Sequence, residues 1–175
     1  ATGTIYLYFE SKESLVAALV DDMLLRLTEA LCEVLDRPTT HAPIAETVHT
    51  ALVFLSSEGD LLRLQWLELG LNALAAYHPL PGYRQLLQEL ATRLAARMAK
   101  KQIRRYDPAA LAALLIGMVQ WIAEIGLLRG DGDIAKYEAT VLQLLEQALR
   151  TSSNGRAMGD EELVSSIEYR AIGGW

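Results

Sequence analysis

Apolar residues recur every three or four positions along most of the chain, the spacing that places them on one face of an α-helix. Runs in which apolar and polar residues alternate, as they do in half-buried strands, are scarce. The pattern therefore predicts an all-α fold in which polar or proline-containing breaks separate six helices. The predicted helices cover approximately residues 11–36, 43–55, 61–76, 83–98, 108–128 and 134–150.

Two of the predicted helices carry clear start signals. Ser11 is a suitable N-cap for the first long helix, and Asp107-Pro108 opens the fifth, because proline fits the first turn of a helix. The longest apolar run of the fifth helix, residues 108–119, is too short to span a bilayer. We therefore expect a buried core helix and no membrane contact.

Net charge and cysteine content limit how the protein can bind DNA and indicate the compartment in which it resides. The formal net charge is −6, which does not favour nonspecific binding to nucleic acid, so any DNA contact must come from a small local patch. The single cysteine, Cys32, cannot form an internal disulfide, as in proteins of the reducing cytosol. The first residues show no basic stretch followed by an apolar one, so we expect a cytoplasmic protein without a secretory signal.

The start of the chain carries the most specific motif. Residues 4–13 read Thr-Ile-Tyr-Leu-Tyr-Phe-Glu-Ser-Lys-Glu, which resembles the signature of TetR-family transcriptional regulators where the recognition helix runs into the long helix after it. The resemblance implies that residues 1–10 are the remnant of a helix-turn-helix and that 11–36 form the connecting helix. It makes residues 37–150 the helical effector-binding and dimerisation domain.

A recognition helix must present small polar groups to base edges and phosphates. The candidate DNA contacts are therefore the hydroxyl-bearing Thr2, Thr4, Tyr6 and Tyr8, together with Lys12, which can reach a phosphate from the first turn of the next helix. The alternative is an ordinary amphipathic hairpin with surface tyrosines. Because a helix-turn-helix needs its first helix to hold the second on DNA, operator binding is expected only with the N-terminal helices present.

In the TetR family the helices after the motif enclose an effector cavity. Aromatic and sulfur-bearing side chains suit an apolar pocket, with plain core positions as the alternative. Glu124, one turn beyond Trp121, can receive a cation beside an aromatic ring, unless it lies at an exposed or interface edge. Glu68 is a second carboxylate in an apolar segment. We expect a largely apolar effector, neutral or cationic, bound by Trp66, Tyr83, Met118, Trp121 and Glu124.

Three further expectations concern the surface. The helices at about 108–128 and 134–150 should pair with their copies in a two-fold bundle, because the fifth helix is apolar on more than one side. Residues 151–175 follow a Ser/Asn/Gly linker and should form a mobile tail. A run of cations should form a solvated helix face, with an anion-binding surface as the alternative: Arg93, Arg97, Lys100, Lys101, Arg104 and Arg105.

The function that follows is a dimeric, ligand-responsive repressor that a small molecule releases from its operator. Two alternatives remain: a module that dimerises and binds ligand without touching DNA, and a small helical enzyme that uses the same cavity. The sequence contains no Ser/His/Asp order, phosphate loop or dinucleotide motif, and its histidines lack metal-ligand spacing. We therefore expect no catalytic residues, cofactor or metal site.

The motif generates a prediction about DNA. In the protein with its N-terminal helices, Lys12→Ala and Tyr6→Phe should weaken binding to all sequences alike, because phosphate contacts carry no sequence information. Lys12→Ala, which removes a cation, should also reduce the slope of log affinity against log salt by about 0.9. Changes at Thr2 should instead alter sequence preference. Operator titrations at several salt concentrations measure both; if Lys12→Ala changes neither affinity nor slope, the recognition-helix assignment is wrong.

Overall fold

The computed structural model describes residues 9–38, 43–69, 79–129 and 134–150. Every regular element in these ranges is helical, which confirms the all-α prediction. The elements in chain order are α1 (Lys12–Asp36), α2 (Pro43–Ser57), α3 (Gly59–Leu69), α4 (Pro81–Ala99), α5 (Pro108–Ala123), a π-helical segment (Glu124–Arg129) and α6 (Ile134–Leu149). The predicted tail, 151–175, lies outside the described residues.

The predicted start signals are confirmed by the hydrogen bonds that they make. The Ser11 side chain accepts from the Ser14 amide at 3.1 Å, and the Ser14 hydroxyl accepts from the Ser11 amide, so that the two residues form a capping box. Asp107 accepts from the amide of Ala110 at 2.7 Å at the start of α5. These caps satisfy amides that no helical turn reaches.

Helix α1 lies at the centre of the packing. It contacts α4 most extensively, then α2, and also α3. Val16, Val20 and Met23 are almost completely buried, together with later residues on the same helix. Because α1 contacts three helices, its position is tied to most of the core.

A glycine allows α1 and α4 to approach closely. The Gly82 amide donates to the Asp21 carboxylate at 2.7 Å. A Cβ at Gly82 would lie 2.8 Å from the backbone oxygen of Asp21, closer than real Cβ contacts. The contact therefore requires a residue without a side chain at this turn of α4.

Four predicted helices differ from the observed ones by two residues or more; among them, the second ends at Ser57 and the fourth begins at Pro81. The third begins at Gly59 rather than near residue 61, and the predicted stretch 70–76 lies outside the described residues. The fifth was expected to be one α-helix to about residue 128, but α-helical bonding ends at Ala123 and gives way to the wider π-helical segment. The start of α6 packs closely against this segment, because a Cβ at Gly126 would lie only 2.2 Å from Cγ1 of Ile134.

The stretch Pro108–Gly126 is, in the part of the chain that the structure describes, 19 helical residues long and apolar enough to cross a membrane. The sequence argument that this helix is too short is therefore wrong, because it counted only the uninterrupted apolar run. Core helices of soluble proteins meet the same criteria, so length and composition do not distinguish the two cases. Less than half of the stretch is buried inside the chain, which leaves an apolar face uncovered.

The cationic run at the end of α4 is not a uniformly solvated face. Arg97 is buried and donates to the backbone carbonyls of Leu35 at 2.5 Å and Arg37 at 3.3 Å. It therefore satisfies carbonyls at the C-terminal end of α1 that have no helical partner. Arg93 pairs with Asp36 at 3.0 Å. The predicted solvated face is wrong for these two residues, since both tie α4 to α1.

The close approach at Gly82 generates a stability prediction. Gly82→Ala should destabilise the fold by about 1–3 kcal/mol, because the added methyl forces the α1 backbone and α4 apart. Gln85→Ala, at an exposed position on the same helix, should stay within about 0.5 kcal/mol of wild type. Urea unfolding measures both. Equal stability of the two variants would show that α1 and α4 do not pack this closely.

Candidate functional site

The helices surround an apolar cavity of about 80 Å³. Its wall is formed by α1, α2, α3, α4 and α5, and most of its lining is hydrocarbon. Helix α1 contributes Met23, Leu24, Leu27 and Leu31, which share one face of the helix. The helix that follows the N-terminal motif is therefore also a wall of the cavity.

The cavity is small compared with known ligand sites. Its volume is about half that of an engineered apolar cavity of roughly 150 Å³ that admits benzene. Sites for drug-sized ligands occupy about 300 Å³ or more. A ligand of more than a few heavy atoms must therefore displace lining side chains or whole helices as it enters. Helix α1 is one of the helices that line the cavity.

Four polar side chains interrupt the apolar lining. Thr47 is already satisfied, because its hydroxyl donates to the Pro43 carbonyl at 2.7 Å. Gln65 on α3 is only 2% exposed, and Gln120 lies on α5. Glu124 is half-buried and begins the π-helical segment. Within the described ranges its carboxylate has no hydrogen bond or ion pair, so a charged acceptor lines an apolar cavity without a partner.

The structure brings two of the five sequence-predicted ligand residues, Trp66 and Glu124, to the cavity wall. Tyr83 is buried in the core near the start of α4, where burial raises the pKa of its hydroxyl. Met118 packs at the edge of the core. Trp121 is 53% exposed. None of these last three lines the cavity.

Sequence reasoning missed Gln65 and Gln120 as cavity residues. A signal for Gln65 was present, because it stands at a position of α3 that the helical spacing of Leu61 and Leu62 assigns to the buried side. A glutamine on an apolar stripe indicates a buried polar group, and such groups are usually hydrogen-bonded. Gln120 gave no comparable signal, because α5 is apolar on nearly all sides.

At the start of α1 the structure describes only one of the five predicted DNA contacts. Lys12 is 60% exposed at its side chain, and its Nζ lies 2.5 Å from Oε1 of Glu68 on α3. Thr2, Thr4, Tyr6 and Tyr8 lie outside the described residues. The sequence indicated Glu68 as a second carboxylate that could bind a ligand cation. In the structure this carboxylate is already paired with Lys12.

A second ion pair joins the same two parts of the chain. Arg26 Nη1 on α1 lies 2.6 Å from Oε1 of Glu58, which immediately precedes α3. Lys12 stands early in α1 and pairs with the end of α3, whereas Arg26 stands later and pairs with its beginning. Helix α3 therefore runs antiparallel beside the first half of α1, with an ion pair near each end.

An open cleft with a mixed polar and apolar lining lies elsewhere, between the end of α1, α2 and α6. There Nδ1 of His49 lies 2.7 Å from Oε1 of Glu138, which links α2 to α6. Arg37 and Glu46 border the same cleft. Among the described residues, no three His, Cys, Asp or Glu side chains are arranged to hold a metal ion.

Comparison with known proteins gives one informative relative. The chain is 29% identical over 161 residues to an uncharacterized HTH-type transcriptional regulator, YdgC, of Bacillus subtilis (strain 168). The alignment covers 86% of this chain and 77% of that protein, so the similarity is not confined to the N-terminal motif. No family model matches the chain. The similarity supports a role in transcription regulation.

Proposed function

We propose that this chain is the regulatory part of a TetR-type transcriptional repressor, a cytoplasmic dimer that a small ligand releases from its operator. The observation that carries the proposal is the apolar cavity whose wall includes α1, the helix that directly follows the motif at residues 4–13. The similarity to an HTH-type regulator supports the DNA-binding half of the proposal.

Release follows from the size of the cavity. A ligand larger than the existing space must displace lining side chains or wall helices, and where it shifts α1, the N-terminal motif joined to α1 moves as well. The ligand acts only through its preference for the conformation that does not bind DNA. A tenfold loss of operator affinity requires about 1.4 kcal/mol of such preference.

The lining chemistry favours an apolar ligand that carries one cationic group. The hydrocarbon wall accepts an apolar body, and the Glu124 carboxylate lacks a partner among the described residues. A half-buried carboxylate in apolar surroundings gains from a cation more than from a neutral group. Gln65 and Gln120 offer further hydrogen-bonding groups on the same wall.

The dimer is supported by an apolar surface that is exposed among the described residues. Leu114 and Trp121 on α5 are 63% and 53% exposed, and Leu144 on α6 is 59% exposed. Gly117 stands between the two α5 residues on the same face, and a Cβ there would meet no described heavy atom within 4 Å apart from its chain neighbours and its own helix backbone. A second copy related by a two-fold axis can cover this surface.

A matched series of ligands tests the cavity chemistry. Hexylammonium should raise the melting temperature more than 1-hexanol, and hexanoate should raise it least, because only the ammonium pairs with Glu124. Glu124→Gln should remove the advantage of the ammonium and leave the response to hexanol, and Trp66→Ala should weaken all three. Glu29→Gln, an exposed carboxylate on α1, should change nothing. Preferential stabilisation by hexanoate would contradict the proposed ligand class.

The apolar surface predicts the effect of charge on assembly. Light scattering at micromolar concentration should give a dimer mass for the wild type and a monomer mass for the double variant Leu114→Glu, Leu144→Glu, because burying carboxylates without partners opposes association. Val53→Glu, at an exposed apolar position on α2, should remain dimeric. A monomeric wild type would show that the surface serves another purpose.

The complete native protein tests the function as a whole. It should bind DNA from the region upstream of its own gene in preference to a mixed-sequence competitor, and hexylammonium should reduce that binding in the wild type more than in Glu124→Gln. An electrophoretic mobility assay measures both effects. If the protein shows no preference for any upstream sequence while still binding hexylammonium, it is a ligand-binding module and not a repressor.

A further inference from the structure

The two partners of the Lys12–Glu68 ion pair are held to different degrees. The Glu68 side chain is 20% exposed and stands on α3, a helix that a second ion pair fixes to α1 through Arg26 and Glu58. The Lys12 side chain is 60% exposed. The carboxylate is therefore the more buried member of the pair, and the exposed ammonium is the member that can turn to another anion.

A DNA phosphate and the Glu68 carboxylate require the same ammonium. Lys12 stands in the first turn of α1, where the motif predicts a phosphate contact. A phosphate bound there would lie within a few ångströms of Glu68, and the two negative charges repel each other over that distance. The pair with Glu68 must weaken or break before Lys12 can neutralise the phosphate fully.

We propose, on the basis of the proposed function, that Glu68 competes with a DNA phosphate for Lys12 and thereby lowers the affinity of the protein for DNA of any sequence. Glu68 acts through Lys12, so it is a positioning residue and not itself a DNA contact. Gln65 lies one turn earlier on α3 and lines the cavity. The helix that competes for Lys12 is thus also a wall of the cavity, which places the competing group where a ligand acts.

The experiment is a double-mutant cycle in the complete native protein, with a short fluorescein-labelled duplex of mixed sequence titrated at several salt concentrations. Glu68→Gln should raise DNA affinity about two- to fivefold, the range that an exposed ion pair allows. The same substitution in a Lys12→Ala background should raise it by a much smaller factor. Glu58→Gln removes the same charge from the Arg26 pair at the other end of α3, and it should leave DNA affinity close to wild type.

A second readout is independent of DNA. In urea unfolding, the effects of Lys12→Ala and Glu68→Gln should be non-additive, which shows that the pair forms in the free protein. Additive unfolding effects would overturn the inference, as would a Glu68→Gln variant that binds the duplex as the wild type does, or more weakly. If the unfolding cycle shows coupling but the wild type binds no duplex at all, the proposed function is wrong, and the competition is overturned with it.

Discussion

The packing of α1 on three other helices is the constraint from which the rest of the structure follows. Gly82 brings α4 against its middle, and Arg97 satisfies the carbonyls at its C-terminal end. At the N-terminal end, by contrast, α3 is joined to it by the exposed pair of Lys12 and Glu68. Buried hydrogen bonds that fill otherwise empty acceptors hold more firmly than exposed ion pairs do. The two ends of α1 are therefore joined to their neighbours by contacts of different kinds.

Local chemistry explains why the helices were predictable from the sequence. Ser11 and Asp107 cap helices through hydrogen bonds to residues three positions away, so a few neighbouring residues are enough to predict where these helices begin. Apolar spacing likewise depends only on the turn of a helix. Long-range contacts gave no such signal. In the sequence, Arg97 is one of several cations in a basic run. Its burial is explained only by the tertiary contact with the C-terminal end of α1.

The candidate site was predicted only in part for a related reason. Helix α5 is apolar on nearly every side, so the pattern cannot tell which face meets the core and which remains exposed. Trp121 was chosen for its chemistry but stands on the exposed face, whereas Ile116 and Val119 line the cavity. Trp66 and Glu124 do lie at the cavity wall. The π-helical segment that begins at Glu124 could not be predicted, because it accompanies the tertiary contact between Gly126 and Ile134.

Three carboxylates near α3 and α5, those of Glu58, Glu68 and Glu124, have different surroundings in the structure. Glu58 and Glu68 are paired with Arg26 and Lys12 of α1, so the protein itself supplies their cations. Glu124 lines the cavity, and the described residues supply it with none. A sequence presents all three as acidic residues among apolar neighbours, and only the helix arrangement separates them. The paired carboxylates join α3 to α1, whereas Glu124, which has no cation among the described residues, is the carboxylate that the proposed ligand would meet in the cavity.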